Sequence, residues 1–88
     1  MALKPVIRKG DTTSHGGVVL EGIDSYPVQG IPVACVGHMV SCPLCLGSYP
    51  IVEGVATVTI EGKQPAVDGM KTACGASLIA SQAEFKIE

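Results

Sequence analysis

Residues 28–42, VQGIPVACVGHMVSC, align without a gap with residues 60–74, IEGKQPAVDGMKTAC. Gly30 meets Gly62, Ala34 meets Ala66, Gly37 meets Gly69 and Cys42 meets Cys74. Each copy ends in a phrase that opens on glycine and closes on a thiol: Gly37-His38-Met39-Val40-Ser41-Cys42 and Gly69-Met70-Lys71-Thr72-Ala73-Cys74. A third version, Gly10-Asp11-Thr12-Thr13-Ser14-His15, closes on an imidazole, and less chain precedes it. The echo continues downstream, as Val18-Val19-Leu20-Glu21-Gly22, Pro50-Ile51-Val52-Glu53-Gly54 and Ser77-Leu78-Ile79-Ala80-Ser81, with extra residues in the middle copy between Cys42 and Ile51. Three similar units, each too small to bury an apolar face alone, imply pseudo-threefold packing within one chain.

The chain has 88 residues, enough for a single domain over 1–88, and such a length buries only about 60–65% of its unfolded surface. Its 47% hydrophobic content is Val, Ala, Ile and Leu, with one Phe, two Tyr and no Trp, alongside eleven Gly and six Pro. That mixture favours short strands and tight turns over helices. Residues 56–61 and 83–88 alternate apolar and polar side chains and are expected as strands. Glu61-Gly62-Lys63 is expected as a turn, and residues 18–20 and 33–36 are shorter apolar runs. No eleven-residue window has helical periodicity, so the expected class is all-β.

A core this thin calls for a staple. Cys42-Pro43-Leu44-Cys45 is a C-x-x-C, whose spacing lets one turn offer two thiolates to one metal. The repeat register adds His15 and Cys74, giving a Cys₃His set suited to one structural zinc. His38, four residues before Cys42, is the alternative for the fourth position, although its repeat partners are Asp11 and Met70. Cys35 aligns with Val67 and is expected as a small buried hydrophobe. A redox role for the C-x-x-C would need a helix start, and Leu46-Gly47-Ser48-Tyr49-Pro50 is a poor one. A catalytic zinc would need an open coordination position and a general base, so no enzyme is expected.

The net charge of −2 and six scattered basic residues argue against a nucleic-acid surface. The start of the chain has no signal-peptide core, and no stretch is long enough to span or stably insert into a membrane. Synthesis in a reducing cytoplasm, where cysteines favour metal over disulfides, is the expectation.

Gly10-Asp11-Thr12-Thr13-Ser14-His15-Gly16-Gly17, Gly30-Ile31-Pro32-Val33-Ala34-Cys35-Val36-Gly37, Cys42-Pro43 and Thr72-Ala73-Cys74-Gly75-Ala76 closely resemble the PAAR-repeat proteins, over nearly the whole chain. The resemblance implies a small cone-shaped β structure with zinc near its apex. Its base would sit, as a monomer, on the trimeric VgrG spike of a bacterial type VI secretion system. Such a tip sharpens the spike for envelope piercing, takes effector proteins as further partners, and waits in the cytoplasm until secretion delivers it outside or into a target cell. Many family members have Gly-Asp where this chain has Gly37-His38 and Gly69-Met70, and histidine where it has Cys45. Family sites richer in histidine keep His38 open as a ligand. With no extension at either end, the chain is expected to be a stand-alone tip. The competing expectation is a zinc-ribbon-like module for a protein or nucleic-acid partner, but that would call for a second knuckle.

Overall fold

A computed structural model describes residues 4–82 and 85–87. Among them there is no helix, and eight short strands pair antiparallel, only in twos. β1 (Lys4–Pro5) pairs with β8 (Lys86–Ile87), and β2 (Thr12–Thr13) with β7 (Leu78–Ile79). β3 (Ile23–Val28) pairs with β4 (Ile31–Val33), and β5 (Met39–Cys42) with β6 (Gly47–Pro50).

What joins these pairs is a set of closed rings of backbone hydrogen bonds. The amide of Ile7 donates to the carbonyl of Ala66 at 2.9 Å, Ala66 to Ala34 at 3.0 Å, and Ala34 back to Ile7 at 2.8 Å. These three residues stand three places before Gly10, Gly37 and Gly69, and all are fully buried. A second ring runs in the opposite sense: Lys9 to Pro32 (2.8 Å), Val36 to Gln64 (2.9 Å) and Asp68 to Pro5 (2.9 Å). Each unit therefore bonds to both others, and the amides around the axis are satisfied without a continuous sheet. The sequence repeat is a real pseudo-threefold axis.

The glycine opening each phrase has φ of 91° (Gly10), 94° (Gly37) or 90° (Gly69), and nothing would meet a Cβ there within 4 Å. The requirement is conformational rather than steric. Each glycine amide donates at 2.9 Å to the carbonyl of Val19, Ile51 or Leu78 respectively. The next residue closes the turn with its side chain. Asp11 Oδ2 accepts the Arg8 amide at 2.9 Å, His38 Nδ1 the Cys35 amide at 2.9 Å, and Met70 Sδ the Val67 amide at 3.5 Å.

Each unit also carries an arm below the rings. In two of them, turns at Gln29-Gly30 (φ 55° and 82°) and Glu61-Gly62 (φ 52° and 81°) have the left-handed pair of a type I′ hairpin. The expected turn at residues 61–63 is thus present, with Ile60 and Lys63 exchanging hydrogen bonds of 2.8 and 3.0 Å. The first unit's arm has no turn among the described residues and is assembled from the two ends of the chain. Lys4 faces Ile87 as Ile31 faces Val28 and Lys63 faces Ile60. The Gln82 side chain secures this arm, donating to the Val6 and Phe85 carbonyls and accepting the Phe85 amide.

The strand expected over residues 56–61 does not form. Ala56 and Thr57 lie in a turn, and only Ile60 is bridged, to Lys63. Alternation survives in part, since Val58 and Ile60 face the core while Thr57 and Thr59 are exposed, but Ala56 is exposed too. Pairing is therefore local to the end of the arm, because among the described residues no strand pairs with residues 56–59. Of the strand expected over residues 83–88, Lys86–Ile87 is β8; Ala83, Glu84 and Glu88 lie outside the described residues.

Two apolar clusters fill the interior. One lies along the axis, with Ile7, Val19, Ala34, Val40, Ile51, Ala66 and Leu78. The other lies among the arms and includes Val6, Ile23, Val28, Val33, Cys35, Val55, Ile60 and Val67, with Val58, Phe85 and Ile87 packed against it. At the position of Cys35 and Val67 the first unit has the buried Arg8, whose guanidinium donates to the Val28 carbonyl, Gln29 Oε1 and Ser81 Oγ. Following each unit from its ring residues to the end of its phrase leads from the arms at one end to three loops at the other.

Candidate metal centre

The last ring of backbone bonds sets the three loops. Ser14 donates to Ser77, Ser41 to Val18 and Ala73 to Pro50, each at 2.9 Å. One residue further on stand His15, Cys42 and Cys74, so a ladder shared by three units delivers three side chains to one place. Nδ1 of His15 lies 3.5 Å from the Cys42 sulfur. Cys45 joins them from the longer middle loop, and one donor atom from each of the four residues lies within 4.8 Å of all the others.

The loops are held from outside the donor set. Thr13 Oγ1 accepts the amides of His15 (3.3 Å) and Gly17 (3.0 Å). Its repeat partner Thr72 places its hydroxyl 3.1 Å from the Cys74 sulfur. Gly17 is required by close approach, because a Cβ there would stand 1.8 Å from the Ser41 carbonyl oxygen. The middle loop is tied by the Tyr49 hydroxyl, which donates to the Cys45 carbonyl at 2.9 Å. None of these supports was singled out as such from the sequence. Thr13 and Thr72 had one signal, since each stands two places before a ligand-type residue.

Two of the clustered thiols have proton affinities pulled in opposite directions. The Thr72 hydroxyl, followed by backbone and neighbouring side-chain hydrogen bonds that outweigh partial desolvation, brings the Cys74 thiol down to about 6. Hydrogen bonding to Cys42, then desolvation and the other thiols, pushes Cys45 up to about 11. Metal binding displaces thiol protons, so a divalent cation is the natural occupant of such a cluster. Tetrahedral zinc, with Zn–N about 2.0 Å and Zn–S about 2.3 Å, sets N···S edges of about 3.5 Å and S···S edges of about 3.8 Å. The His15–Cys42 separation already has that value, and the widest spacing needs to close by only about 1 Å. The donors therefore fit a single zinc and fit hard oxygen-seeking cations poorly.

His38 is not among the four. Its Nδ1 is occupied by the Cys35 amide, which makes it the counterpart of Asp11 in its turn. Burial, together with the Lys63 charge, keeps its pKa below the ordinary imidazole value, with Glu21 opposing. Cys35 is fully buried, as its alignment with Val67 implied, and burial pushes its thiol up to about 11.

No curated protein matches this chain. A family description does: the PAAR motif, over residues 9–80, which contains all three phrases and all four clustered donors. With most of its length matched, the chain belongs to the PAAR-motif family.

Proposed function

We propose that the chain is a structural tip protein, a single PAAR domain over residues 1–88 that caps the trimeric VgrG-type spike of a bacterial type VI secretion system. One zinc, bound by His15, Cys42, Cys45 and Cys74, staples the end away from the spike. The observation that carries this reading is the combination of closed threefold rings with four convergent donors at one end of the axis. A monomer with three similar arms can meet three identical subunits, one arm to each. Tyr26, Val58 and Phe85 occupy equivalent positions in the arms; Tyr26 is exposed and the other two are half-buried against the core, which leaves each subunit some apolar surface to meet.

Four protein ligands leave no open coordination position, so the zinc has a structural role and the protein is not an enzyme. Effector proteins are further partners in this reading, and the tip moves from the cytoplasm to the target with the spike. Mixing the purified protein with its trimeric spike and recording native mass spectra tests it. One zinc per chain and one chain per trimer are expected. A metal-free homo-oligomer that ignores the spike would sink the proposal, and replacing Tyr26 and Phe85 by Ser should weaken the complex about tenfold or more.

A further inference from the structure

The clustered sulfurs differ in what surrounds them. Cys42 is buried at the end of β5, and Cys74 has the Thr72 hydroxyl at 3.1 Å and the Ala76 amide as hydrogen-bond donors. Cys45 stands on the added middle loop between Leu44 and Leu46, which are 69% and 90% exposed, and its own side chain reaches solvent. Among the described residues the hydrogen-bond partners of its sulfur are the Cys42 and Cys74 thiols. Those thiols have no proton left to share once a metal is bound. An accessible sulfur therefore lacks the backbone and hydroxyl donors that its neighbour Cys74 has.

Charge adds to this. Three thiolates and a neutral imidazole around a divalent zinc leave a formal excess of one negative charge. No Lys, Arg, Asp or Glu falls in residues 12–20, 39–52 or 72–82, which include all three converging loops, so no side-chain cation from those loops offsets the excess. Lys71, at their border, donates through Nζ to Ser77 Oγ. Electron density thus stays on sulfur, and thiolate sulfur is the nucleophile in cysteine chemistry. A second sulfur is at hand, because Cys42 stands three places before Cys45 and hydrogen-bonds with it.

We propose that Cys45 is a site of oxidative modification by hydrogen peroxide, with Cys42 as its resolving partner, so that peroxide releases the metal staple. The inference rests on the zinc reading above and concerns how that site is regulated. The Cys45 sulfur attacks the peroxide: an S–O bond forms, the O–O bond breaks and hydroxide leaves. The Cys42 sulfur then attacks Cys45: an S–S bond forms, the S–O bond breaks and a second hydroxide leaves. Two thiolates thereby lose two electrons, one peroxide is reduced, and two protons from solvent turn the hydroxides into water. His15 and Cys74 remain, half of the donor set and too few to hold zinc against water. A histidine at position 45 could coordinate but could not follow this path, because imidazole forms no disulfide.

The test treats the zinc-loaded full chain, its metal content measured first, with hydrogen peroxide in the presence of a chromophoric zinc indicator. The bound zinc is released while the intact mass falls by two hydrogens, and a dithiol with added zinc restores both. Alkylation of the oxidised protein followed by tryptic mapping finds Cys42 and Cys45 bridged within residues 10–63 and Cys74 alkylated within residues 72–86. C45H, which keeps four donors, releases zinc at least about tenfold more slowly. A parent that holds zinc yet neither releases it nor gains a disulfide overturns the inference. So does a bridge that joins Cys45 to Cys74, or a C45H protein that releases zinc as fast as the parent. Should C45H fail to load, the parent's bridge map decides between these outcomes. A parent that takes up no zinc from the start overturns the zinc reading, and this inference falls with it.

Discussion

Asp11, His38 and Met70 are a carboxylate, an imidazole and a thioether doing one job, accepting the amide three residues back to close equivalent turns. The fold requires an acceptor atom at that height, and three chemistries supply it. His38 alone among them is an imidazole that can lose its acceptor in acid, because protonation puts a hydrogen on Nδ1. Its folded pKa lies below the unfolded value, with burial the first cause, Lys63 adding to it and Glu21 opposing. The unfolded chain therefore binds the proton more readily, and the stability from neutral His38 is full above about pH 6.5 and lost as pH falls toward the folded value. The parent should lose more Tm than H38N as pH falls from about 7 to about 5. H38D, which copies Asp11, should keep the turn and remove that part of the acid sensitivity. Acid release of zinc is common to all three proteins, so the difference between their Tm profiles isolates His38. Register against Asp11 was visible in the sequence; that the shared property is an acceptor became visible only with the turn, since side chains so unlike do not announce a common role.

The five extra residues of the middle loop make the fourth donor unlike the other three. His15, Cys42 and Cys74 are delivered by the last backbone ring, whereas Cys45 depends on its own loop and on the Tyr49 hydroxyl. The first three form a preorganised tripod, and Cys45 closes it. C45A should bind zinc about 100-fold more weakly, with an outside ligand in the fourth position, while C42A should lose at least about 10,000-fold. Competition with a chromophoric chelator measures both, and equal losses would show that the four donors act as a single set. At this scale the sequence was partly legible. The C-x-x-C showed the donors, but Cys42 also ends β5, and the β5–β6 hairpin it belongs to was not foreseen. Residues 56–61 erred in the other direction. Their alternation reflects inward-facing Val58 and Ile60, but strand formation needs a partner, and the arm offers one only at Ile60.

At the scale of the whole molecule, order three was written in the repeat, but the truncation of the first copy concealed how the threefold is completed. The missing half of its arm comes from the opposite end of the chain, and no local pattern can reveal a pairing as distant as Lys4 with Ile87. The closed rings make the molecule topologically cyclic in everything but its covalent connection. That gives a strong prediction. If the three units are structurally equivalent, the ends can be moved from the first arm to the third: join Glu88 to Met1 and open the chain between Glu61 and Gly62. The new connection runs through four residues, Glu88, Met1, Ala2 and Leu3, between the paired Ile87 and Lys4, a length hairpin loops accommodate. The new ends fall at an exposed turn, where permutation is best tolerated, and the hydrogen bonds between Ile60 and Lys63 that the opening weakens have an intact counterpart in the Val28–Ile31 arm. The permuted protein should bind one zinc, unfold cooperatively and lose about 1–2 kcal/mol, as judged by denaturant titration of both proteins loaded with zinc. A permutant that fails to fold or bind zinc would mean that the order of the units along the chain matters, and that the rings alone do not carry the architecture.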